Sequence, residues 1–241
     1  RRTLLTESET KILEDHLQSE MSVQIRNLIQ DAEQYVDRVN AEIEKRPTST
    51  GTYFRLRWIP LTEAQGAPAD LEDARKRLLK MNADLWTEKD RQAIGAMLQR
   101  RIEEERLKAE ESGGSSLREQ LAAALDYRQW HRFVVERNAM GKWISISQPA
   151  SGGERALGLT IPMFAAVASF YGDEHSTRPR LVLLDEAYAG IDDGVRAHCM
   201  GLIHEFDLDF VITSEREWAC YKTLPGVAIC QLQRHDKFDA I

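Results

Sequence analysis

From Thr6 the string TESE reads as a capping box, with Thr6 in the capping position and Glu9 three residues on to reach back to it. Apolar or small residues then recur at Leu13, Leu17, Met21, Ile25, Leu28, Ala32, Val36, Val39 and Ile43, in steps of three and four, until Pro47 ends the run. That spacing keeps one face of a helix apolar and predicts a single long amphipathic helix. The root of a coiled coil and an ordinary packed helix both give this pattern, since no sustained heptad is present. After TSTG, Tyr53, Arg55 and Arg57 alternate with Phe54, Leu56 and Trp58, so Thr52 to Ile59 predicts a strand. Asp70 to Glu111 predicts charged helix, broken near Asn82 to Thr87, restarted by a second capping box at Thr87 to Asp90 and stopped at Gly113-Gly114. A short helix from Leu117 to Leu125 follows. Tyr127 to Glu136 and Lys142 to Ser147 flank RNAMG and predict a hairpin in which Gly141 takes positive φ.

Beyond this point the pattern becomes apolar helix alternating with apolar strand. Ser151 to Tyr171 predicts helix despite Pro162, Leu181 to Leu184 a fully apolar strand, Asp193 to Phe206 a helix, and Phe210 to Thr213 a short buried strand. Continuous apolar strands separated by helices predict an α/β fold with a parallel sheet covered on both faces. The organisation expected is a root helix over 1–46, a strand plus helical insertion over 47–125, and an α/β lobe over 126–241. ESGGSS, Glu111 to Ser116, is the one low-complexity spot and reads as a loop.

Composition narrows the class. The chain has 241 residues, 42% of them apolar, and a net charge of 32 − 39 = −7. A disordered or collagen-like polymer is excluded, and the acidic balance disfavours non-specific nucleic-acid binding by the whole surface, although a local basic patch remains compatible with it. The longest mostly apolar stretch, Ile161 to Tyr171, falls short of the roughly 18 residues of a membrane span, and no basic-then-apolar leader opens the chain. A cytoplasmic protein without a membrane partner is expected. Cys199, Cys220 and Cys230 are odd in number and widely spaced, which fits reduced thiols and no metal site. The first residue is Arg1 rather than Met, so a piece of something longer is expected.

The most informative line is RLVLLDEAYAGID, Arg180 to Asp192. Four apolar residues deliver Asp185 and Glu186 to the carboxyl end of a strand, where ligands of open α/β sheets bind. Adjacent carboxylates there ask for a cation or a proton-transfer task. In nucleoside triphosphate hydrolysis the first holds Mg²⁺ and the second polarises the attacking water. A pair that merely caps the next helix is the competing reading. Upstream, SGGERA, Ser151 to Ala156, leads into an apolar helix: its glycines let backbone N–H groups approach an anion, Ser151 adds a hydroxyl, and the positive helix end favours phosphate. A plain glycine-rich helix entry competes. The order of the two strings, with AGID directly after the second, favours the nucleotide reading.

In that order, SGGE, LLDE and AGID resemble the C-terminal half of an ABC-type ATPase head, of the branch that includes SMC, MukB-like and DNA-repair ATPases. The resemblance covers Tyr127 to Ile241 directly. It implies a P-loop-type sheet core, ATP and Mg²⁺ as cofactors, and a site at a head–head dimer interface. Carried over, Ser151, Gly152, Gly153 and Glu154 contact the γ-phosphate of ATP on the opposite head, Asp185 supports Mg²⁺, Glu186 is the general base, and the loop Ala189 to Asp192 crosses the dimer. Two departures stand out. Ala150 replaces the usual Leu before SGGE, and Ser214 occupies the place of the switch His; it can hydrogen-bond but carries no charge. The serine fits the SMC branch better than transporters.

No G-x-x-x-x-G-K-[ST] occurs within these residues, and MGKW, Met140 to Trp143, is a hairpin. In SMC-type proteins that phosphate-cradling loop belongs to an N-terminal Walker A lobe joined through a long coiled coil, so the resemblance makes the first helix the returning arm and predicts no hydrolysis in isolation. LRWIP, LDYRQWHRFVVER and EFDLDFVITSEREWACY resemble more closely the MukB-like SMC ATPases of Wadjet anti-plasmid systems. That implies a nucleoid-associated motor with kleisin-like, accessory and nuclease subunits, extruding DNA loops in plasmid defence. A DNA-repair head acting with an exonuclease, a transporter-type domain, and a non-catalytic docking module are the alternatives. His131, His198 and His204 share no ligand spacing and read as structural. Trp58, Trp130 and Trp143 read as packing, Arg55 and Arg57 as a solvated sheet face, and Arg75 to Lys80 as a helix surface.

Overall fold

A computed structural model describes residues 7–46, 51–67, 70–80, 82–111, 113–148, 151–172, 179–188, 191–214 and 220–232. Thr6 lies outside them, and so do the side chains of Leu13 and Leu17. The chain divides into two compact units, 1–36 with 57–134 and 37–56 with 135–241.

In the first unit, helix α1 (Glu7–Glu44) contributes its first part. Its buried positions here include Ser22, Ile25 and Ile29. Leu28, expected on the apolar stripe, is instead exposed, because the stripe passes through its neighbour Ile29. Helices α2 (Leu71–Lys80) and α3 (Glu88–Glu111) pack through Leu71, Ala74, Leu78, Ile94, Met97 and Leu98, with Trp86 and Trp130 in the same core. The expected break between them is present: the Thr87 N–H and hydroxyl both donate to Asp90, and the Asp90 N–H donates back to the Thr87 hydroxyl. On α2, Lys76 pairs with Glu72 and Arg77 with Asp73 and Asp90 at the surface, whereas Arg75, expected there too, is half-buried against His131 and Glu33, and Leu78 is in the core. Helix α4 (Leu117–Ala124) opens on a Ser116–Glu119 capping box.

Two strands continue from this unit into the second. The order in their sheet is β1 (Phe54–Pro60), β2 (His131–Ala139), β3 (Lys142–Ser145). Residues Tyr127–Trp130, expected as strand, form a 3₁₀ turn capped by Asp126, whose carboxylate accepts from the Arg128 N–H. Ala139 pairs with Lys142, so the hairpin loop is only Met140-Gly141, both with positive φ (52° and 79°). Left-handed residues at both places match a two-residue turn to the strands' twist. Arg55 lies over the Trp143 ring and pairs with Glu136, and Asn40 of α1 clamps Leu56 through both edges of its amide.

The second unit carries the site. Helix α5 (Gly152–Tyr171) packs on α6 (Asp193–Glu205), with Phe164 set edge-on to Phe206 and Ile161, Ala165, Met200, Leu202 and Ile203 filling the interior. Pro162 is buried inside α5. Strands β4 (Leu181–Leu184) and β5 (Asp209–Ile212) pair in parallel, Leu183 beside Val211. Coverage on both faces was expected, and the described residues cover one. Val182, Leu184, Phe210 and Ile212 are half-buried, whereas Leu183 and Val211 are 74% and 55% exposed on the other face. The reason is the pleat: alternate residues leave opposite faces, and only one face meets the helices described.

Candidate functional site

Strand β4 ends in Asp185 and Glu186, both exposed. The chain turns there through backbone that side chains rarely adopt, with φ +44° at Glu186 and +67° at Tyr188. A left-handed residue other than glycine costs about 1–2 kcal/mol, and such conformations gather at functional sites. One contact holds the turn open. The Glu186 N–H donates to the Thr213 hydroxyl at 3.1 Å, and that hydroxyl donates to the Asp185 carboxylate. Thr213 is the first residue after β5, so the parallel pairing of the strands delivers it beside the carboxylates; its own N–H donates to the Leu184 carbonyl at 2.9 Å.

The structure also decides what caps the next helix. Asp192 does, its carboxylate accepting from the N–H groups of Gly194 and Val195. Asp185 and Glu186 are therefore not helix caps, and their two exposed charges remain side by side for other work. Two residues on, Tyr188 is half-buried, and burial pushes its phenol well above the usual range. The neighbouring Cys199 thiol is likewise raised by burial, against an opposing hydrogen bond from Thr160. Both stay protonated and unreactive at neutral pH, consistent with a supporting layer. Cys199, Cys220 and Cys230 are free thiols.

At the amino end of α5, Ser151 and Glu154 form a reciprocal cap: the Ser151 N–H donates to the Glu154 carboxylate at 2.9 Å and the Glu154 N–H to the Ser151 hydroxyl at 3.1 Å. Arg137, on β2, donates to the other Glu154 oxygen at 2.8 Å. The backbone hydrogen bond from Ser151 leads the effects holding the Glu154 carboxyl below its usual range; desolvation opposes it, and the Ser151 side chain and Arg137 add to the lowering. In this cap the Ser151 hydroxyl accepts from the Glu154 N–H and its side chain also bonds the Glu154 carboxylate. The two glycines differ in role. A Cβ on Gly152 would meet nothing within 4 Å, leaving room for an approaching anion, whereas on Gly153 it would sit 2.7 Å from Val195 Cγ2 of α6. Gly153 lets α5 and α6 close on each other.

Asp185, Glu186 and Thr213 are thus brought together, and Ser151, Glu154 and Arg137 form a second group. Asp192 caps α6, whose first turn touches Gly153 through Val195. Ser214, the residue expected at the switch position, is exposed next to Thr213. Sequence reading missed Thr213 and Arg137. A hydroxyl ending the strand parallel to the acidic one was a visible signal for the first; nothing in the spacing marked the second, which is delivered by the hairpin. Ala189 and Gly190 of the crossing loop lie outside the described residues.

Adjacent exposed carboxylates suit Mg²⁺, which binds through one or two carboxylates together with phosphate oxygens and keeps several waters. Among the described residues no group of three or more His, Cys, Asp or Glu side chains could hold a metal by itself. No described helix is long and apolar enough to cross a membrane.

A family model described as SbcC/RAD50-like, Walker B motif, matches residues 122–205, a span that runs from α4 through α6 and includes both groups but not Thr213. Within it lies a region similar to SMC/Rad50-type ABC ATPases, and Asp185 and Glu186 fall inside the matched span. No curated protein matches the chain.

Proposed function

We propose that this chain supplies the C-terminal half of an SMC-like ATPase head, in which Glu186 is the general base for ATP hydrolysis and Ser151 serves the nucleotide of a second head. The observation that carries this reading is the exposed Asp185–Glu186 pair, held in a left-handed turn and released from helix capping by Asp192. Bound with ATP, Mg²⁺ supplies charge neutralisation at the γ-phosphate. Asp185 would hold the ion, and Glu186 would take the proton of the attacking water as its oxygen bonds to the γ-phosphorus and the bond to the ADP oxygen breaks. Across the dimer, the Ser151 hydroxyl donates to the γ-phosphate, Gly152 gives the backbone close approach, and Gly153 and Glu154 hold the helix end in place. Asp192 anchors the dimer-crossing loop, and Ser214 hydrogen-bonds water or phosphate in place of the switch His.

The exposed apolar face of Leu183 and Val211 supports an N-terminal Walker A lobe as the first partner, because parallel sheets are ordinarily covered on both faces. Residues 1–46 form the returning coiled-coil arm, 47–125 the strand and insertion, 126–241 the lobe with signature motif, Walker B strand and crossing loop. In the finer reading this is the MukB-like ATPase of Wadjet systems, the JetC type, acting on DNA with kleisin-like, accessory and nuclease subunits in nucleoid-associated plasmid defence. A second reading, the head of an exonuclease-associated DNA-repair complex, is favoured by the SbcC/RAD50-like description of the matching family. Loop extrusion on DNA tethers in the assembled complex separates the two.

The test of the shared claim is Glu186→Gln in the protein assembled with its nucleotide-cradling lobe. Retained ATP binding with turnover reduced by about 10²-fold or more is expected for loss of a general base; normal turnover removes Glu186 from that role.

A further inference from the structure

We infer that Thr213 is a positioning residue for this site: its hydroxyl sets the direction of the Asp185 carboxylate and pins the left-handed turn that presents Glu186. The inference rests on the ATPase reading above and adds a residue to it. Its ground is the direction of two hydrogen bonds. The Glu186 N–H can only donate, so the Thr213 oxygen accepts it. The hydroxyl has one proton, and that proton goes to Asp185. A single side chain therefore ties both acidic residues to β5 and leaves the second Asp185 oxygen for a cation's water shell. Thr213 is itself exposed, with its backbone fixed to Leu184 by an N–H donated at 2.9 Å, so the hydroxyl is fixed by main-chain pairing rather than by a packed core. A side chain serving only to fill space would be expected beneath the surface. Hydrogen bonds to metal-ligating carboxylates orient the ligand, and losing one costs about 10–100-fold in metal affinity or activity.

Two substitutions separate hydroxyl from shape. Thr213→Val keeps the branched outline and removes the hydroxyl; Thr213→Ser keeps the hydroxyl and removes the methyl. In this chain, without nucleotide, hydrogen exchange at the Glu186 amide is expected to quicken in Thr213→Val and to stay near the unsubstituted rate in Thr213→Ser. In the assembled protein, Thr213→Val is expected to lower turnover by about 10–100-fold and to raise the Mg²⁺ concentration needed for half-maximal turnover, with Thr213→Ser restoring both. The inference is overturned if the Glu186 amide exchanges no faster in Thr213→Val. It is equally overturned if serine fails as valine does, or if valine leaves turnover and Mg²⁺ requirement unchanged while Glu186→Gln abolishes turnover. Normal turnover in Glu186→Gln contradicts the ATPase assignment instead, whatever the exchange rates show.

Discussion

Replacing Gly153 by Ala tests the contact that brings the phosphate-facing helix onto its neighbour. The added methyl would stand 2.7 Å from Val195 Cγ2 and 3.8 Å from its Cβ and Cγ1, a distance at which something must move. Val195 sits in the first turn of α6, where a β-branched side chain has essentially one rotamer, so it cannot swing aside. Overpacking of this kind costs about 1–3 kcal/mol. Against it stands the helix-propensity gain of alanine over glycine, at most about 1 kcal/mol. The net expectation is a loss of about 0–2 kcal/mol, read in urea unfolding, with Tm falling by up to about 8 °C for a chain of this size, and a deficit of about 1–3 kcal/mol against a glycine-to-alanine change that meets no neighbour. Gly152→Ala is the internal control, since nothing lies within 4 Å of its Cβ, and it should be neutral or slightly stabilising. Adding Val195→Ala should reduce the cost of Gly153→Ala by about 1 kcal/mol in a double-mutant cycle. A Gly153→Ala protein as stable as Gly152→Ala, or a cycle with no coupling, would refute the packing argument.

Three further outcomes follow from the same structure. His131 is stacked on Trp58 at 3.8 Å, accepts from Arg75 and bonds the Tyr127 carbonyl; burial holds its pKa below the usual value. The unfolded chain then binds the proton first, so unfolding free energy should decline as pH drops below about 6.5 and level off beneath the folded value; an identical pH profile in His131→Gln would count against it. Glu154 has the opposite origin but the same direction: its lowered pKa means the cap stabilises above the ordinary carboxylate range and is lost as pH falls through the folded value. The stability gap between the unsubstituted chain and Glu154→Gln should therefore close in acid, and a gap constant with pH refutes it. Leu183→Ser, at a position 74% exposed, should change the stability of this chain by less than about 0.5 kcal/mol yet impair assembly with the Walker A lobe; unimpaired assembly in a pull-down removes that face from the interface.

Helix and strand placement was legible wherever periodicity and caps agreed, as at Thr87–Asp90 and across α5, where Ser151 caps and Pro162 is tolerated within the helix. Tyr127–Trp130 misled because its aromatics favour a strand in isolation, while Asp126 captures the Arg128 N–H and winds a turn. Leu28 misled because two adjacent apolar residues both fit the stepping, and only packing against the α2–α3 layer chooses Ile29. The acidic pair was legible from an apolar strand ending in charge. That the pair is free of capping duty, and that a threonine from the parallel strand binds it, depends on tertiary pairing that no local string carries.

The central claim, that Glu186 and Ser151 serve one nucleotide from two different copies, is tested most directly by mixing. Two variants of the assembled protein, Ser151→Arg and Glu186→Gln, each inactive alone, are combined in equal amounts and ATP turnover is measured. With random pairing in a two-fold dimer, half the dimers are mixed and each contains one intact site, so recovery to about a quarter of unsubstituted turnover is expected. A mixture no more active than its separate parts would contradict the account.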